Sequence, residues 1–227
     1  MPKVVFCVPT VERPYPAFLD SLERSVPVIE GAGWEHSSVY EIGNPYISCA
    51  RGEMLRKALN EKPDCVVFLD HDLSWDAEDL LTLIETPGDV VAGTYRFKKD
   101  EEEYMGTMFT GPHGTPLVRD DGCIEAANVP AGFLKVTVSA VYQFMGRFPE
   151  LKYGDDLNPH IDLFNHGAHE GIWYGEDYAF CRRWNEIGKV WCIPNLNINH
   201  HTTEKEYKGN FHEYLMRLPG GCNDNSN

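Results

Sequence analysis

Residues 64–75 read DCVVFLDHDLSW, in which the apolar run 66–69 leads straight into Asp70-His71-Asp72. A short apolar run bounded by polar residues is the pattern of a strand buried on both faces, as in parallel sheets. Ligands of open α/β sheets collect beyond the carboxyl ends of the strands, so Asp70 and Asp72 stand where a ligand is expected. Period-two alternation lets both carboxylates turn to one side and share Mg2+ or Mn2+ carrying a phosphorylated substrate, with His71 turned away. The same three residues equally describe a solvated turn ahead of a helix.

The neighbouring stretches fit a sheet built around that strand. Residues 3–8 (KVVFCV) form a first, central strand closed by Pro9-Thr10 at the same edge as Asp70. Phe18, Leu19, Leu22 and Val26 recur at helical spacing, with Pro16 placed to start the helix and Pro27 to end or kink it. Residues 37–41 read as a second strand, and Ala50, Met54, Leu55, Ala58 and Leu59 as one helical face with Ser48 as its N-cap. Residues 76–85 are helical with acids in the first turn, and 89–95 are a strand. Strands alternating with helices imply a parallel, doubly wound sheet over this part of the chain.

The pattern changes after Tyr95. Residues 98–122 read as a loop or loose hairpin whose acidic cluster, 100–103, is a solvated face. Strand character returns over 125–138 around Pro130-Ala131-Gly132, followed by a short helix over 139–148. Residues 153–173, dense in Asp, Asn, His and Gly, read as a long loop near a site. Gly175-Glu176-Asp177 opens a helix with Phe180, Trp184 and Ile187 on one face and Gly188 at its end. Residues 189–193 are a strand, and a polar segment leads from it to His200-His201. The tail, 219–227, is expected to be disordered and is where a longer chain could have been cut.

The 227 residues suit one domain. A formal net charge of −15 argues against a nucleic-acid partner, which would need clustered Lys and Arg. Seven cysteines, at 7, 49, 65, 123, 181, 192 and 222, show no C-x-x-C spacing and lie partly in apolar runs. They read as reduced thiols of a cytoplasmic protein, and no run has signal-peptide or membrane-spanning character.

Taken together, a strand ending in D-x-D, a later strand near Gly132-Phe133, a G-E-D at a helix start and a downstream His resemble the GT-A class of metal-dependent glycosyltransferases. The resemblance covers roughly residues 3–201. It implies a GT-A-like α/β fold, a Rossmann-like nucleotide-binding half with a mixed central sheet flanked by helices, merged with an acceptor-binding half. As one catalytic domain over 1–218, this would divide into a nucleotide-sugar half (1–97) and an acceptor half (98–218).

Carried over by residue, Asp70 and Asp72 would hold Mn2+ or Mg2+ on the donor diphosphate, with His200 completing the shell and His201 as the fallback. Pro9, Thr10, Arg51, Asp70 and His71 would line the donor, with Pro9-Thr10 and Arg51 at the nucleoside and phosphates. Asp177, beside Glu176, would be the base of an inverting enzyme. The implied partners are a nucleotide-sugar, by resemblance a UDP-sugar, and a glycan or other hydroxyl acceptor.

Each residue also has a plainer role. Glu176 and Asp177 could simply stabilise a helix start, worth about 0.3–1 kcal/mol. Arg51 could be a solvated helix residue, and His200-His201 a surface turn. Trp75, Trp173 and Tyr174 are either core or stacking platforms for sugar rings. Asp155, Asp156 and Asp162 bind sugar hydroxyls or solvate a loop. A haloacid-dehalogenase-like phosphohydrolase with Asp70 as nucleophile is a competing enzyme, although that family's motif sits in the first strand and is followed by Thr. A two-metal nucleotidyltransferase would need more carboxylates, and a non-catalytic nucleotide- or sugar-binding module is the reading outside enzymology.

Overall fold

The computed structural model describes residues 1–155, 157 and 159–218, so Asp156, Cys222 and the tail 219–227 lie outside the described residues. Strands β1 (Lys3–Thr10), β2 (Glu35–Ile42) and β3 (Cys65–Leu69) alternate with helices α1 (Pro16–Gly31) and α2 (Ile47–Leu59). There follow β4 (Leu73–Ser74), α3 (Ala77–Glu85), β5 (Val90–Gly93), β6 (Thr107–Met108), β7 (Ile124–Asn128), β8 (Phe133–Thr137) and α4 (Val138–Arg147). Two hairpins come next, β9 (Lys152–Gly154) with β10 (Pro159–Ile161) and β11 (Gly167–His169) with β12 (Ile172–Tyr174). The chain then forms α5 (Glu176–Trp184), β13 (Val190–Ile193), β14 (Asn199–His201), β15 (Glu206–Tyr207) and α6 (Phe211–Arg217).

The expected mixed α/β architecture is present, with a large central sheet flanked by helices. Its order is β2-β1-β3-β8-β5-β13-β7-β6. β1, β2 and β3 are parallel, as their alternation with helices requires. The parallel run stops there, because β8 enters between β3 and β5 antiparallel to both. The stretches 1–97 and 98–218 therefore share one sheet. Burial on both faces makes the apolar run of β3 compatible with either neighbour direction, so local pattern could not reveal this insertion.

Alternation along β1 divides the core in two. Val4, Phe6 and Val8 pack with Phe18 and Leu22 of α1 and Leu80 and Leu83 of α3. Val5 and Cys7 join Met54 and Leu55 of α2, Phe144 of α4 and Phe180 and Trp184 of α5 on the other face. Periodicity put Leu19 on the buried face of α1, but it is exposed, and Ser21 and Ser25 turn inward instead. Trp75 is the reason: Ser21 Oγ donates to its carbonyl oxygen (3.0 Å) and its indole Nε1 donates to Ser25 Oγ (3.0 Å), which satisfies buried polar groups in the core. Trp75 is thus core and not a sugar platform.

Other local expectations shift. α1 continues past Pro27 to Gly31, held by the fully buried Ile29. Ser48 is not the N-cap of α2, which follows Tyr46 and lacks a side-chain cap; Ser48 lies within the first turn. The 125–138 stretch is two strands, β7 and β8, and 153–173 is two short hairpins where a loop was expected. Among the described residues six cysteines are free thiols, five of them buried. Among the described residues no helix is long and apolar enough to cross a membrane.

Candidate active site

The carboxyl ends of β1, β3, β5 and β13 meet at one edge of the sheet. β3 ends at Leu69, so Asp70-His71-Asp72 is a turn, closed by Leu73 N–H on the Asp70 carbonyl (3.2 Å), and strand alternation does not govern it. Asp70 N–H donates to the Gly132 carbonyl (2.9 Å) at the start of β8. A Cβ on Gly132 would collide with the Tyr95 hydroxyl and the Asp70 carboxylate, so the close approach requires glycine. His71 Nδ1 lies 3.1 Å from the Pro9 carbonyl, which ties the ends of β1 and β3 together. Beside it the buried Thr10 keeps its Oγ1 without a hydrogen-bond partner.

The two aspartates meet different partners. Asp70 Oδ1 accepts from Arg51 Nη2 (2.8 Å) and Oδ2 from the Tyr95 hydroxyl (3.3 Å). Arg51, only 2% exposed, is no solvated helix residue. Its Nη1 donates to Glu176 Oε1 (2.5 Å), its plane lies 5.2 Å from the Phe164 ring centroid, and its Nε is unpartnered. Burial works against its charge, but Asp70, Glu176 and then Asp177 raise its pKa further above the ordinary guanidinium value.

Asp72 accepts from Lys98 Nζ, and its Oδ2 lies 3.5 Å from His200 Nε2. Burial opposes ionisation of Asp72, yet His200 and Lys98 hold its pKa well below the usual carboxylate range. β14 brings His200 there by pairing antiparallel with β4, His200 opposite Leu73. His200 Nδ1 lies 2.8 Å from the Arg96 carbonyl, a contact that fixes the ring with Nε2 towards Asp72. His201 turns to Ser74 Oγ (2.8 Å) instead, so His200 is the member of the pair that faces Asp72.

Among the described residues no three His, Cys, Asp or Glu side chains gather to hold a metal on their own. Asp72 and His200 fit two positions in the shell of Mn2+ or Mg2+, a carboxylate oxygen and an imidazole nitrogen, leaving the remainder to water and substrate oxygens.

Glu176 and Asp177 occupy the first turn of α5, after Gly175. Asp177 Oδ1 accepts from Tyr178 N–H (2.8 Å). Burial, and next the neighbouring Glu176, push the Asp177 pKa up to about 7, against the opposing pull of Arg51. The site thus gathers Asp70, Glu176 and Asp177 around a single buried guanidinium. Of the remaining sequence candidates, Trp173 is 70% exposed and Tyr174 lies under the Arg182 guanidinium. Asp155 Oδ1 accepts from Leu157 N–H (2.9 Å) and Asp162 Oδ2 from Asn165 Nδ2 (2.7 Å).

Tyr95, Lys98 and Phe164 also stand at the site, against Asp70, Asp72 and Arg51. Gly132 at a strand entrance was a readable signal of close approach. Nothing local marks Lys98, which reaches Asp72 from 26 residues away.

No protein-family model matches this sequence, and no curated protein does. Among solved structures the protein is similar to residues 1–349 of TarS from S. aureus, at 12% identity and TM-score 0.45, over 95% of this chain and 63% of that one. The same TarS segment in complex with UDP gives 13% and 0.44. A glycosyltransferase involved in glycosylation of the major capsid of PBCV-1 gives 9% and 0.33, over 62% of this chain and 63% of that one. The chain therefore spans less than two thirds of the length of these structures. At such identities the weight of any functional reading falls on the side chains.

Proposed function

We propose that this protein is a glycosyltransferase of the GT-A kind, moving a sugar from a nucleoside diphosphate donor, a UDP-sugar, to a hydroxyl acceptor with inversion. The observation that carries this reading is the bridge by which Arg51 joins Asp70, at the head of the Asp70-His71-Asp72 turn, to Glu176, beside Asp177, whose pKa is pushed up to about 7. A base for a hydroxyl must accept a proton near neutral pH, and an ordinary aspartate does so poorly. Burial and Glu176 supply the correction.

On the donor side, Asp72 and His200 are the residues that would hold Mn2+ or Mg2+, and the bound cation would neutralise charge on the departing diphosphate. Pro9, Thr10 and His71 line the adjoining ends of β1 and β3, where a nucleoside would lie. Arg51 keeps Asp70 and Glu176 in fixed orientation. Asp177 accepts the acceptor proton as the new bond forms at the anomeric carbon, on the face opposite the leaving group. Arg51 and Tyr95 engage both oxygens of Asp70, which disfavours the phosphohydrolase reading, where Asp70 must attack with a free oxygen. Free thiols agree with a cytoplasmic protein.

The test is calorimetric titration with UDP and with GDP, in Mn2+ and then in chelator, on the parent protein and on Asp72→Ala. UDP binding that needs the metal and is lost in the variant supports the donor site. Absence of binding to both nucleotides overturns it.

A further inference from the structure

The β11–β12 hairpin has two faces with different fates. On one, Tyr174 and His169 are anchored to α5: the Arg182 guanidinium lies 5.6 Å from the Tyr174 ring centroid, and its Nη1 is 3.2 Å from His169 Nε2. Trp173, one residue along, points to the other face and is 70% exposed. There its ring centroid lies 6.0 Å from that of His166, at 51°.

His166 ties this face of the hairpin to α2. His166 Nδ1 is 3.2 Å from Ser48 Oγ in the first turn of α2. Ser48 and Arg51 are three residues apart, hence on one face of that helix, and Arg51 reaches Glu176. The strand that carries Trp173 runs through the N-cap Gly175 into the first turn of α5, which holds Glu176 and Asp177. A large exposed indole normally costs solubility without return, yet this one is held on a hairpin that leads directly into the helix carrying the base.

We infer that Trp173 and His166 form the acceptor subsite and that the acceptor is a pyranose, an inference that rests on the transfer reaction proposed above. A pyranose has an apolar C–H face that stacks on an indole and a hydroxyl rim that needs polar partners. With Nδ1 bound to Ser48, the His166 ring offers Nε2 to that rim. A flat apolar acceptor would use the indole but not the imidazole beside it.

The test uses saturation-transfer NMR with methyl glucoside, methyl galactoside and methyl N-acetylglucosaminide, on the parent protein and on Trp173→Ala and His166→Ala, with no nucleotide present. Saturation of the axial C–H protons of at least one glycoside is expected in the parent. Trp173→Ala should lose it, and His166→Ala should weaken affinity about tenfold, the scale of one such contact. Because both residues are exposed, unchanged melting temperatures check that the variants fold. Failure of all three glycosides to bind the parent, or equal binding by Trp173→Ala, overturns the subsite. UDP calorimetry on the same samples separates that failure from failure of the donor-site reading.

Discussion

Arg51 donates to Glu176 across 2.5 Å, joining α2 to the first turn of α5 over a separation of 125 residues. Its other terminal nitrogen holds Asp70, so one buried cation orients carboxylates from both stretches of the chain. Removing it leaves two partly buried carboxylates unpaired. Arg51→Met is expected to destabilise by roughly 2–4 kcal/mol, below the full cost of a wholly buried pair because both acids keep some solvent contact. Arg51→Lys should recover little, since an ammonium cannot span two carboxylates as a planar fork does. Urea unfolding of the three proteins measures both differences.

Asp177→Asn is expected to lower sugar transfer by about 10²- to 10⁴-fold, the contribution of a positioned general base. UDP affinity in Mn2+ should stay within about twofold, because Asp177 does not enter the donor site. In the parent protein the rate should rise through pH of about 7 and level off above it, as the base loses its proton. Transfer by Asp177→Asn at the parental rate rules out the assigned base.

The same carboxyl makes stability depend on pH. Its folded-state pKa, about 7, lies above the ordinary 3.8, so between those values the folded protein holds a proton that the unfolded chain releases. Stability therefore falls as pH rises through that window, and the loss is complete above the folded-state value. Asp177→Asn lacks this penalty. Its melting temperature should gain on the parent between pH 4 and 7 and stay ahead at pH 8; a gap independent of pH contradicts the assignment.

Lys98 holds the Asp72 oxygen that a cation would need. Lys98→Met is expected to bind Mn2+ severalfold more tightly than the parent in the absence of nucleotide, because no ammonium competes for the carboxylate. Asp72→Asn and His200→Ala should weaken Mn2+ binding at least tenfold. Electron paramagnetic resonance of free Mn2+ reads all three directly.

Gly132→Ala is expected to abolish metal-dependent UDP binding and to reduce stability. Its Cβ would lie 2.7 Å from Asp70 Cγ, and neither Asp70 nor Tyr95 has room to withdraw, since Arg51 holds one and burial the other. Calorimetry and thermal melting on the variant check the two effects.

Sequence by itself determined the β1-α1-β2-α2-β3 run, the placement of Asp70 at a strand end and the opening of α5 at Glu176, because apolar periodicity and the residues that start and stop elements act over a few positions. It also placed Asp70, Asp72, Asp177 and His200 among the residues to watch. What it could not determine was who meets whom. The entry of β8 between β3 and β5, the burial of Arg51 between acids from distant elements, and the choice of His200 over His201 are decided by packing and strand pairing. So is the elevated Asp177 pKa, since desolvation and the nearness of Glu176 and Arg51 exist only in the folded chain. Local pattern encodes which face a residue shows, whereas charge, proton affinity and contact depend on what the rest of the chain brings to that face.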